Sequence, residues 1–374
     1  MEQTANAIDL KSFKLFQPFD IKSVQLRNRI VMAPMTRNFS PKGVPGENVA
    51  EYYRKRAESK VGLIITEGTT IDHKGANGYP NVPAFHGDAA LAGWKKVVED
   101  VHGAGGLIIP QLWHVGYIRK KGIEPDASVP GYGPMTVEKE GEVETIGLTV
   151  EEIHEVVAAF AEAARNAEDL GFDGIEIHGA HEYLIDQFFW EKSNQRTDEY
   201  GGSLERRLRF ALEIIRAVRE VVSNNFMVVF RFSQWKQQDY KAKLAYTPEE
   251  LERFLLPLSE AGVDVFDAST RRFWEPEFEG SSLNLAGWAR KITGKPVITV
   301  GSVGLDSTFT SSFGGKTANP TGIDELVRRV EADEFELVAV GRSLLSDPDW
   351  ISKIVDGREG EIMAFERDAL STLS

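Results

Sequence analysis

Short apolar runs rich in valine and isoleucine alternate along the chain with longer amphipathic segments. In runs such as 61–66 and 226–231 nearly every residue is apolar, which is typical of parallel strands that helices cover on both faces. Segments such as 89–103 instead repeat apolar residues with the helical period. The pattern therefore predicts repeated strand–helix units. The predicted strands are 29–34, 61–66, 106–111, 173–177, 226–231, 263–268, 296–300 and 336–340.

Helix ends carry capping signals that support these boundaries. Thr149 followed by Glu152 has the spacing of a capping box at the start of a long helix, and Gly171 is placed to end that helix. Thr247 followed by Pro248 marks the start of another helix. The other predicted helices are 47–60, 89–103, 203–222, 283–293 and 323–332.

Eight strand–helix units in 374 residues favour a closed (β/α)8 TIM barrel over an open doubly wound sheet. No change of composition marks a second domain, so residues 1–374 are predicted to form a single domain. Within it, residues 1–28 are predicted to form an N-terminal hairpin cap. Three long loops follow strand ends, on the face where a barrel builds its active site. These extended loops are 115–148, 269–281 and 304–322.

Composition narrows the classes of partner. The chain has 43 basic and 57 acidic residues, and its net charge of -14 argues against nucleic acid or an anionic membrane as the main partner. It has no cysteine, which excludes disulfides, a thiolate nucleophile and a Cys-ligated iron–sulfur cluster. The N-terminus lacks the pattern of a secretory signal, and no apolar run approaches the ~20 residues of a membrane helix. We therefore expect a soluble, cytoplasmic protein.

Polar residues concentrate after the fourth predicted strand, where His178, His181 and Tyr183 follow one another closely. Two imidazoles and a phenol at a strand end suit a site that holds a carbonyl group and delivers a proton. The alternative is that the histidines cap a loop and that Tyr183 belongs to the core.

Glycine turns follow the seventh and eighth predicted strands. Gly301 and Ser302 come after the seventh strand, and Gly341 and Arg342 after the eighth. Backbone N–H groups at these two positions form the usual phosphate site of a barrel, and an arginine adds a bidentate cation. The alternative is that both glycines serve only tight turns.

Gln111 and Arg231 complete the set of polar strand ends. Gln111 can pair with an amide-like edge, and Arg231 ends a buried strand, where its charge needs an anion or an electron-rich ring. An internal salt bridge of Arg231 with Glu67 or Glu176 stays open as an alternative. No lysine stands at a strand end, which argues against a Schiff-base aldolase. A phosphate, an amide edge and developing negative charge in one pocket fit flavin mononucleotide (FMN).

Several motifs occur in an order that resembles the Old Yellow Enzyme family of flavin-dependent ene-reductases. They are RNRIVMAPMTR at 27–37, QLWHVG at 111–116, GFDGIEIHGAHEYLIDQF at 171–188, NQRTDEYGGSLERRLRF at 194–210, FRFS at 230–233 and VGR at 340–342. Together they extend over nearly the whole chain, so the resemblance is far more specific than a single glycine motif.

The resemblance implies a role for each matching residue. Thr36 would bond the flavin O4, Arg231 would lie near N1 and O2, and Tyr183 would be the proton donor. His178 and His181 would bind the carbonyl oxygen of the substrate. The residues implied to contact tightly but non-covalently bound FMN are Pro34, Met35, Thr36, Gly68, Gln111, Arg231, Gly301, Ser302, Gly341 and Arg342. Trp113, Tyr79 and Trp274 are candidates for the substrate wall, with plain loop packing as their alternative.

The implied reaction has two halves at one site. NAD(P)H would give hydride to the flavin and leave, and an activated alkene would then be reduced by a ping-pong mechanism. We expect no metal and a monomer or homodimer. The rival interpretation is a metal-dependent barrel hydrolase that uses His114, His178 and His181, although the first strand ends in Pro34 and Met35 rather than in the His-x-His that such an enzyme needs.

Overall fold

Eight parallel strands close into a barrel in the computed structural model, which describes residues 10–308, 311–312 and 314–374. The barrel strands follow one another in chain order, and the last pairs with the first through Val338 and Ile30. The predicted (β/α)8 barrel is therefore confirmed. Positions 1–9 of the predicted cap and positions 309, 310 and 313 of the predicted loop 304–322 lie outside the described residues.

The strands in chain order are β1 (Phe19–Ile21), β2 (Val24–Leu26), β3 (Ile30–Met32), β4 (Leu63–Thr70), β5 (Ile108–Trp113), β6 (Gly131–Gly133), β7 (Val137–Lys139), β8 (Glu142–Gly147), β9 (Gly174–His178), β10 (Met227–Ser233), β11 (Val265–Ser269), β12 (Val297–Val300) and β13 (Leu337–Val340). The barrel consists of β3, β4, β5 and β9 to β13. Within the described residues the α-helices with defined bounds are α1 (Glu47–Glu58), α2 (Asp88–Gly103), α3 (Val150–Leu170), α4 (Leu184–Phe189), α5 (Leu204–Val221), α6 (Pro248–Ala261), α7 (Leu285–Thr293), α8 (Asp324–Glu331), α9 (Arg342–Ser346) and α10 (Trp350–Val355).

Side chains of the barrel strands alternate between two apolar layers. Residues such as Val31, Ile65 and Val229 fill the inside of the barrel, and their neighbours in the strands pack outward against the helices. Because both faces of each strand are buried, the strands need no polar alternation, which explains their nearly continuous apolar sequence.

The predicted hairpin cap is present as β1 and β2, which pair antiparallel. Ile21 and Leu26 pack against the same apolar cluster that fills the barrel interior. The hairpin therefore covers the amino-terminal end of the barrel and leaves the carboxyl-terminal end for the site.

Both predicted helix starts are confirmed. Thr149 accepts a hydrogen bond from the Glu152 backbone N–H, and the Glu152 carboxylate accepts one from the Thr149 N–H. This reciprocal pair is the capping box. Thr247 caps α6 by accepting a hydrogen bond from the Glu250 N–H, without the return bond of a capping box.

Two differences from the sequence prediction concern the length of β4 and the content of a long loop. Strand β4 continues to Thr70, beyond the predicted end at residue 66, because its register against β5 shifts between Ile65 and Gly68 and pairing then resumes. The predicted loop 115–148 contains the small sheet β6–β8–β7. Its exposed β7 carries no buried face that a periodic pattern could reveal.

The helices in the described part of the chain include none with the length and apolar composition to cross a bilayer.

Candidate active site

A cavity of about 320 Å³ opens at the carboxyl-terminal ends of the barrel strands. Side chains and turns from several strands converge there, as they do at the active sites of barrel enzymes. Most of the predicted site residues line it. They are Pro34, Met35, Thr36, Gln111, Trp113, His178, His181, Tyr183, Arg231, Gly301, Ser302, Gly341 and Arg342.

One end of the cavity, here called the imidazole end, is formed by His178, His181 and Tyr183. The His178 ring centroid lies 5.3 Å from that of His181 and 4.9 Å from that of Tyr183, both in edge-on contact. The three rings come together because the chain turns sharply between β9 and α4. At His181 and Glu182 the backbone has φ values of 62° and 66°, which non-glycine residues adopt only when the surroundings hold them.

A buried polar network holds this turn. The Glu182 N–H donates to the Asp186 carboxylate at 2.7 Å, and Asp186 accepts from the Lys236 ammonium at 2.5 Å. Both Lys236 and Asp186 are fully buried. The Glu182 carboxylate in turn accepts from the Tyr117 hydroxyl at 2.6 Å and from the Gln238 N–H at 2.7 Å. The strained turn is therefore fixed by charged and polar partners from three separate segments.

Both histidines of the imidazole end are neutral. Burial and the nearby Arg231 guanidinium hold the pKa of each imidazole well below its usual range. The Ala180 N–H donates to His178 Nδ1 at 3.3 Å, so the ring proton of His178 is on Nε2. The His181 Nε2 lies 2.7 Å from Ser269 Oγ. Neutral imidazoles can donate hydrogen bonds to a carbonyl oxygen, but they do not hold a spare proton to release.

Tyr183 is the group at this end that carries a transferable proton. Its hydroxyl lies 3.2 Å from the Tyr79 hydroxyl, and its ring meets the Trp113 ring edge-on at 4.8 Å. Burial and the Tyr79 hydroxyl raise the pKa of Tyr183 well above its usual range. The phenol therefore stays protonated, which a general acid requires.

Arg231 lines the cavity beside the buried carboxyl groups of Asp267 and Glu176. Its Nη1 donates to the Asp267 carboxylate at 2.5 Å. The alternative of an internal salt bridge therefore holds, but its predicted partner, Glu67 or Glu176, is wrong. Arg231 and Asp267 are direct neighbours in the β10–β11 register. Glu176 instead accepts from the Gln111 amide at 2.7 Å, and Glu67 accepts from the Arg37 and Asn38 N–H groups. Burial and the Asp267 charge raise the pKa of Glu176 well above its usual range.

The opposite end of the cavity, here called the glycine end, is formed by Gly301, Ser302, Gly341 and Arg342. The Arg342 guanidinium donates to Ser312 Oγ at 2.5 Å and to the Ser307 carbonyl at 2.6 Å. These acceptors are neutral, and burial lowers the pKa of Arg342 to about 10. A buried cation whose hydrogen bonds end on neutral oxygens gains most from an anion such as a phosphate.

The charge of the cavity fits FMN. Three of the described residues that line it are arginines and none of them is Asp or Glu, although the whole chain carries -14. The glycine end offers Arg342 to a phosphate, and Gln111 and Arg231 offer amide and guanidinium groups to a polar ring edge.

Three predicted residues lie outside the wall of the cavity. Gly68 lies under Trp113, where an added Cβ would come 2.3 Å from the indole ring. Tyr79 contacts two wall residues from behind, stacking on Trp113 at 5.6 Å and placing its hydroxyl 3.2 Å from that of Tyr183. Trp274 is 37% exposed and packs edge-on against Phe273. The alternative of loop packing therefore describes Trp274 better than the predicted place in the substrate wall.

Several wall residues were not predicted. Ser269 is the last residue of β11 and Arg271 lies just beyond it, whereas the sequence prediction ended this strand one residue early and without site residues. Trp235 stacks on His181 at 4.3 Å, and Tyr240 packs against Trp235 at 5.4 Å. A count of aromatic residues after the fifth strand could have found both. Phe365 enters from the C-terminal segment, for which the sequence offers no signal.

The ligand set of the rival metal site does not assemble. His114 Nε2 is hydrogen-bonded to His73 Nδ1 at 2.8 Å, and His114 Nδ1 accepts a hydrogen bond from the Gly116 N–H. Burial holds the pKa of His114 well below its usual range. Over residues 10–308, 311–312 and 314–374 the structure contains no group of three or more His, Asp or Glu side chains placed to hold a metal.

Sequence comparison identifies the family. The model of the NADH:flavin oxidoreductase / NADH oxidase family matches residues 14–361. The chain belongs to this family. Among curated relatives, NADH oxidase of Thermoanaerobacter brockii is 36% identical over 357 residues, which cover 93% of this chain and 52% of that protein. The chain spans only 52% to 58% of the length of the first curated relatives that it matches.

Solved structures agree with the family in fold. Morphinone reductase in complex with tetrahydroNAD superposes with a TM-score of 0.79 at 29% identity, covering 95% of this chain and 93% of that one. Old Yellow Enzyme from Pichia sp. AKU4542 gives a TM-score of 0.80 at 27% identity, covering 96% and 91%. The resemblance to Old Yellow Enzyme is therefore confirmed, and FMN is the cofactor of the family. Nothing in these comparisons supports a metal-dependent hydrolase.

Proposed function

We propose that this chain is an FMN-dependent reductase of activated alkenes that takes its hydride from NAD(P)H. The observation that carries the proposal is the placement of two neutral imidazoles and a protonated phenol in the same cavity as the arginines that fit FMN. Family membership supports the oxidoreductase class.

Bound FMN supplies hydride transfer, and the protein residues supply binding, polarisation and the proton. His178 and His181 donate hydrogen bonds to the electron-withdrawing group of the alkene, which draws charge away from its β-carbon. Arg231 places a positive charge in the same cavity as Gln111, where it stabilises negative charge on the bound ring. Arg342 holds the phosphate at the glycine end.

Tyr183 delivers the proton to the α-carbon of the alkene. Its phenol is already protonated, and the Tyr79 hydroxyl beside it can replace the proton from the solvent side, because the two oxygens are 3.2 Å apart. Trp113 and Trp235 line the cavity around the histidines and exclude water from the reacting carbons. NAD(P)H and the alkene use the same residues, so they bind in turn.

The proton-donor role is tested with Tyr183→Phe, and Tyr79→Phe serves as the matched control. We expect Tyr183→Phe to keep the rate of flavin reduction by NADPH and to slow the reoxidation by 2-cyclohexenone by about a hundredfold, the usual contribution of a general acid. Tyr79→Phe should have a much smaller effect. Stopped-flow absorbance of the flavin separates the two half-reactions, and an unchanged second half-reaction in Tyr183→Phe would remove the phenol from its role.

The same instrument addresses the finer choice of substrates. Comparing NADH with NADPH in the first half-reaction gives the preferred nicotinamide. A panel of enones, nitroalkenes and nitrate esters in the second gives the preferred oxidant. A protein that binds FMN but reduces none of these compounds would contradict the proposed function.

A further inference from the structure

The arginines of the cavity are not equivalent. Arg231 is paired with Asp267, and Arg342 points its donors into the glycine end. Arg271, the third, has no part in the proposed reaction. It follows β11, lines the cavity and is exposed at its rim.

Arg271 keeps its charge available. Within the described residues its guanidinium forms no ion pair with a carboxylate, and it lies over the Tyr240 ring, 4.7 Å from the ring centroid. The adjacent Arg272 differs, because it donates to the Glu275 carboxylate at 2.7 Å and does not line the cavity. A cation on an aromatic face that lacks a counter-ion can still accept an anion.

The rim around Arg271 is connected to both ends of the cavity. The Arg271 carbonyl accepts from Ser302 Oγ at 2.9 Å, which ties its backbone to the glycine end. On the other side, Tyr240 packs on Trp235 and Trp235 stacks on His181. An aromatic wall therefore runs from the imidazole end to Arg271, and a flat molecule that lies along it would present its far end to the guanidinium.

We propose that Arg271, seated on Tyr240, is an anion-binding subsite that selects molecules with a carboxylate or phosphate beyond their reacting end. The inference rests on the proposed function and names a class of substrate for it. The anion can come from a carboxylate on the alkene or from the 2′-phosphate that distinguishes NADPH from NADH. In both cases the reacting end lies at His178 and His181, and the anion gains a charge-assisted hydrogen bond at the rim.

The test compares Arg271→Gln with Arg272→Gln in the FMN-loaded protein. The probes are 4-hydroxyphenyl alkanoates of increasing chain length and their neutral methyl esters, whose phenol oxygen can accept from the histidines. Binding is followed by the change in flavin absorbance without turnover. For the carboxylate source, we expect Arg271→Gln to weaken the best-fitting carboxylate by about fivefold to tenfold and to leave the esters unchanged, as for an exposed charge-assisted contact.

The second arm measures flavin reduction by NADPH and by NADH. If the phosphate is the source, Arg271→Gln raises the apparent dissociation constant for NADPH several-fold more than that for NADH. In either arm Arg271→Lys should restore part of the effect, and added salt should weaken it. The proposal fails if Arg271→Gln changes neither the carboxylates nor NADPH selectively, or if Arg272→Gln has the same effect. Because the titration needs no alkene reduction, failure of the proposed function would be seen separately.

Discussion

The two ends of the cavity are built in different ways. The imidazole end depends on side chains that bond one another far from the reacting atoms, above all the fully buried pair of Lys236 and Asp186. The glycine end depends on backbone shape, with Gly301 and Ser302 both at positive φ and Arg342 bonded to nearby neutral oxygens. We therefore expect the imidazole end to be sensitive to the loss of a charged partner. The glycine end should instead be sensitive to a side-chain atom added at a glycine.

The largest effect should follow from Lys236→Met. The change leaves the Asp186 carboxylate buried without its cation, and burial already raises the pKa of Asp186 against the opposing pull of Lys236. We expect the free energy of unfolding to fall by about 3–5 kcal/mol, the usual cost of breaking a buried ion pair. Urea unfolding measures it. Lys192→Met, which breaks the exposed contact with Asp239, should cost at most ~1 kcal/mol, and equal losses would contradict the comparison.

A second prediction uses pH to measure the buried acid Glu67, which binds the Arg37 and Asn38 N–H groups after the first barrel strand. Burial raises the pKa of Glu67 from its ordinary value of 4.5 to about 7. The pKa of Glu67 is higher in the folded protein than in the unfolded chain. Its contribution to the free energy of unfolding is therefore complete below pH 4.5 and is lost as the pH rises to about 7. Glu67→Gln keeps an acceptor for the Arg37 and Asn38 N–H groups but cannot ionise.

Relative to the parent protein, Glu67→Gln should therefore gain about 3 kcal/mol of unfolding free energy between pH 4.5 and pH 7. Urea titrations at several pH values give this difference directly, and other groups cancel because they are common to both proteins. A difference that does not change over this range would show that Glu67 ionises normally in the fold.

The backbone character of the glycine end is tested by Gly301→Ala. At φ +149° an added Cβ would come 2.7 Å from the Thr270 carbonyl oxygen, which belongs to backbone and cannot rotate away. We expect a loss of about 1–3 kcal/mol in unfolding free energy from this strain, together with weaker FMN retention. Thermal unfolding and FMN fluorescence titration measure the two effects, and a fully stable variant would argue that this turn can shift.

The smallest change in stability should come from Gly341→Ala. Its φ of -102° is negative, its ψ of -97° lies outside the usual α and β regions, and the nearest atom to an added Cβ is the Met35 sulfur at 3.4 Å. Unfolding free energy should fall by about 1 kcal/mol, less than for Gly301→Ala, because no backbone atom opposes the added methyl group. The methyl group would also occupy the wall of the cavity, so FMN affinity should fall further than this small loss of stability explains. If Gly341→Ala and Gly301→Ala lose the same unfolding free energy and the same FMN affinity, the proposed difference between backbone strain at Gly301 and filled space at Gly341 is wrong.

The sequence was sufficient for the barrel and for most of the wall residues, for one physical reason. Parallel strands present their carboxyl ends at a single face, so His178, Arg231 and Arg342 must meet there once the strands are recognised. The same logic located the glycine turns without any knowledge of register.

Contacts between strands and from distant segments could not be predicted. The partner of Arg231 depends on the register of β10 against β11, which places Asp267 beside it, and no pattern within either strand sets that register. Phe365 reaches the cavity because its segment pairs with Ala318. Tyr240 and Arg271 lie in loops, where periodicity carries no information about direction.

The shift in β4 has a consequence for changes in chain length. One surplus position in this strand lets Glu67 turn toward Arg37 and Asn38 while Gly68 still faces the Trp113 indole. Deleting Glu67 would restore even spacing and leave Gly68, Thr69 and Thr70 opposite their partners in β5, so the indole would keep its glycine. The shortened chain would instead lose the acceptor for the Arg37 and Asn38 N–H groups, so this position should tolerate replacement by glutamine far better than removal.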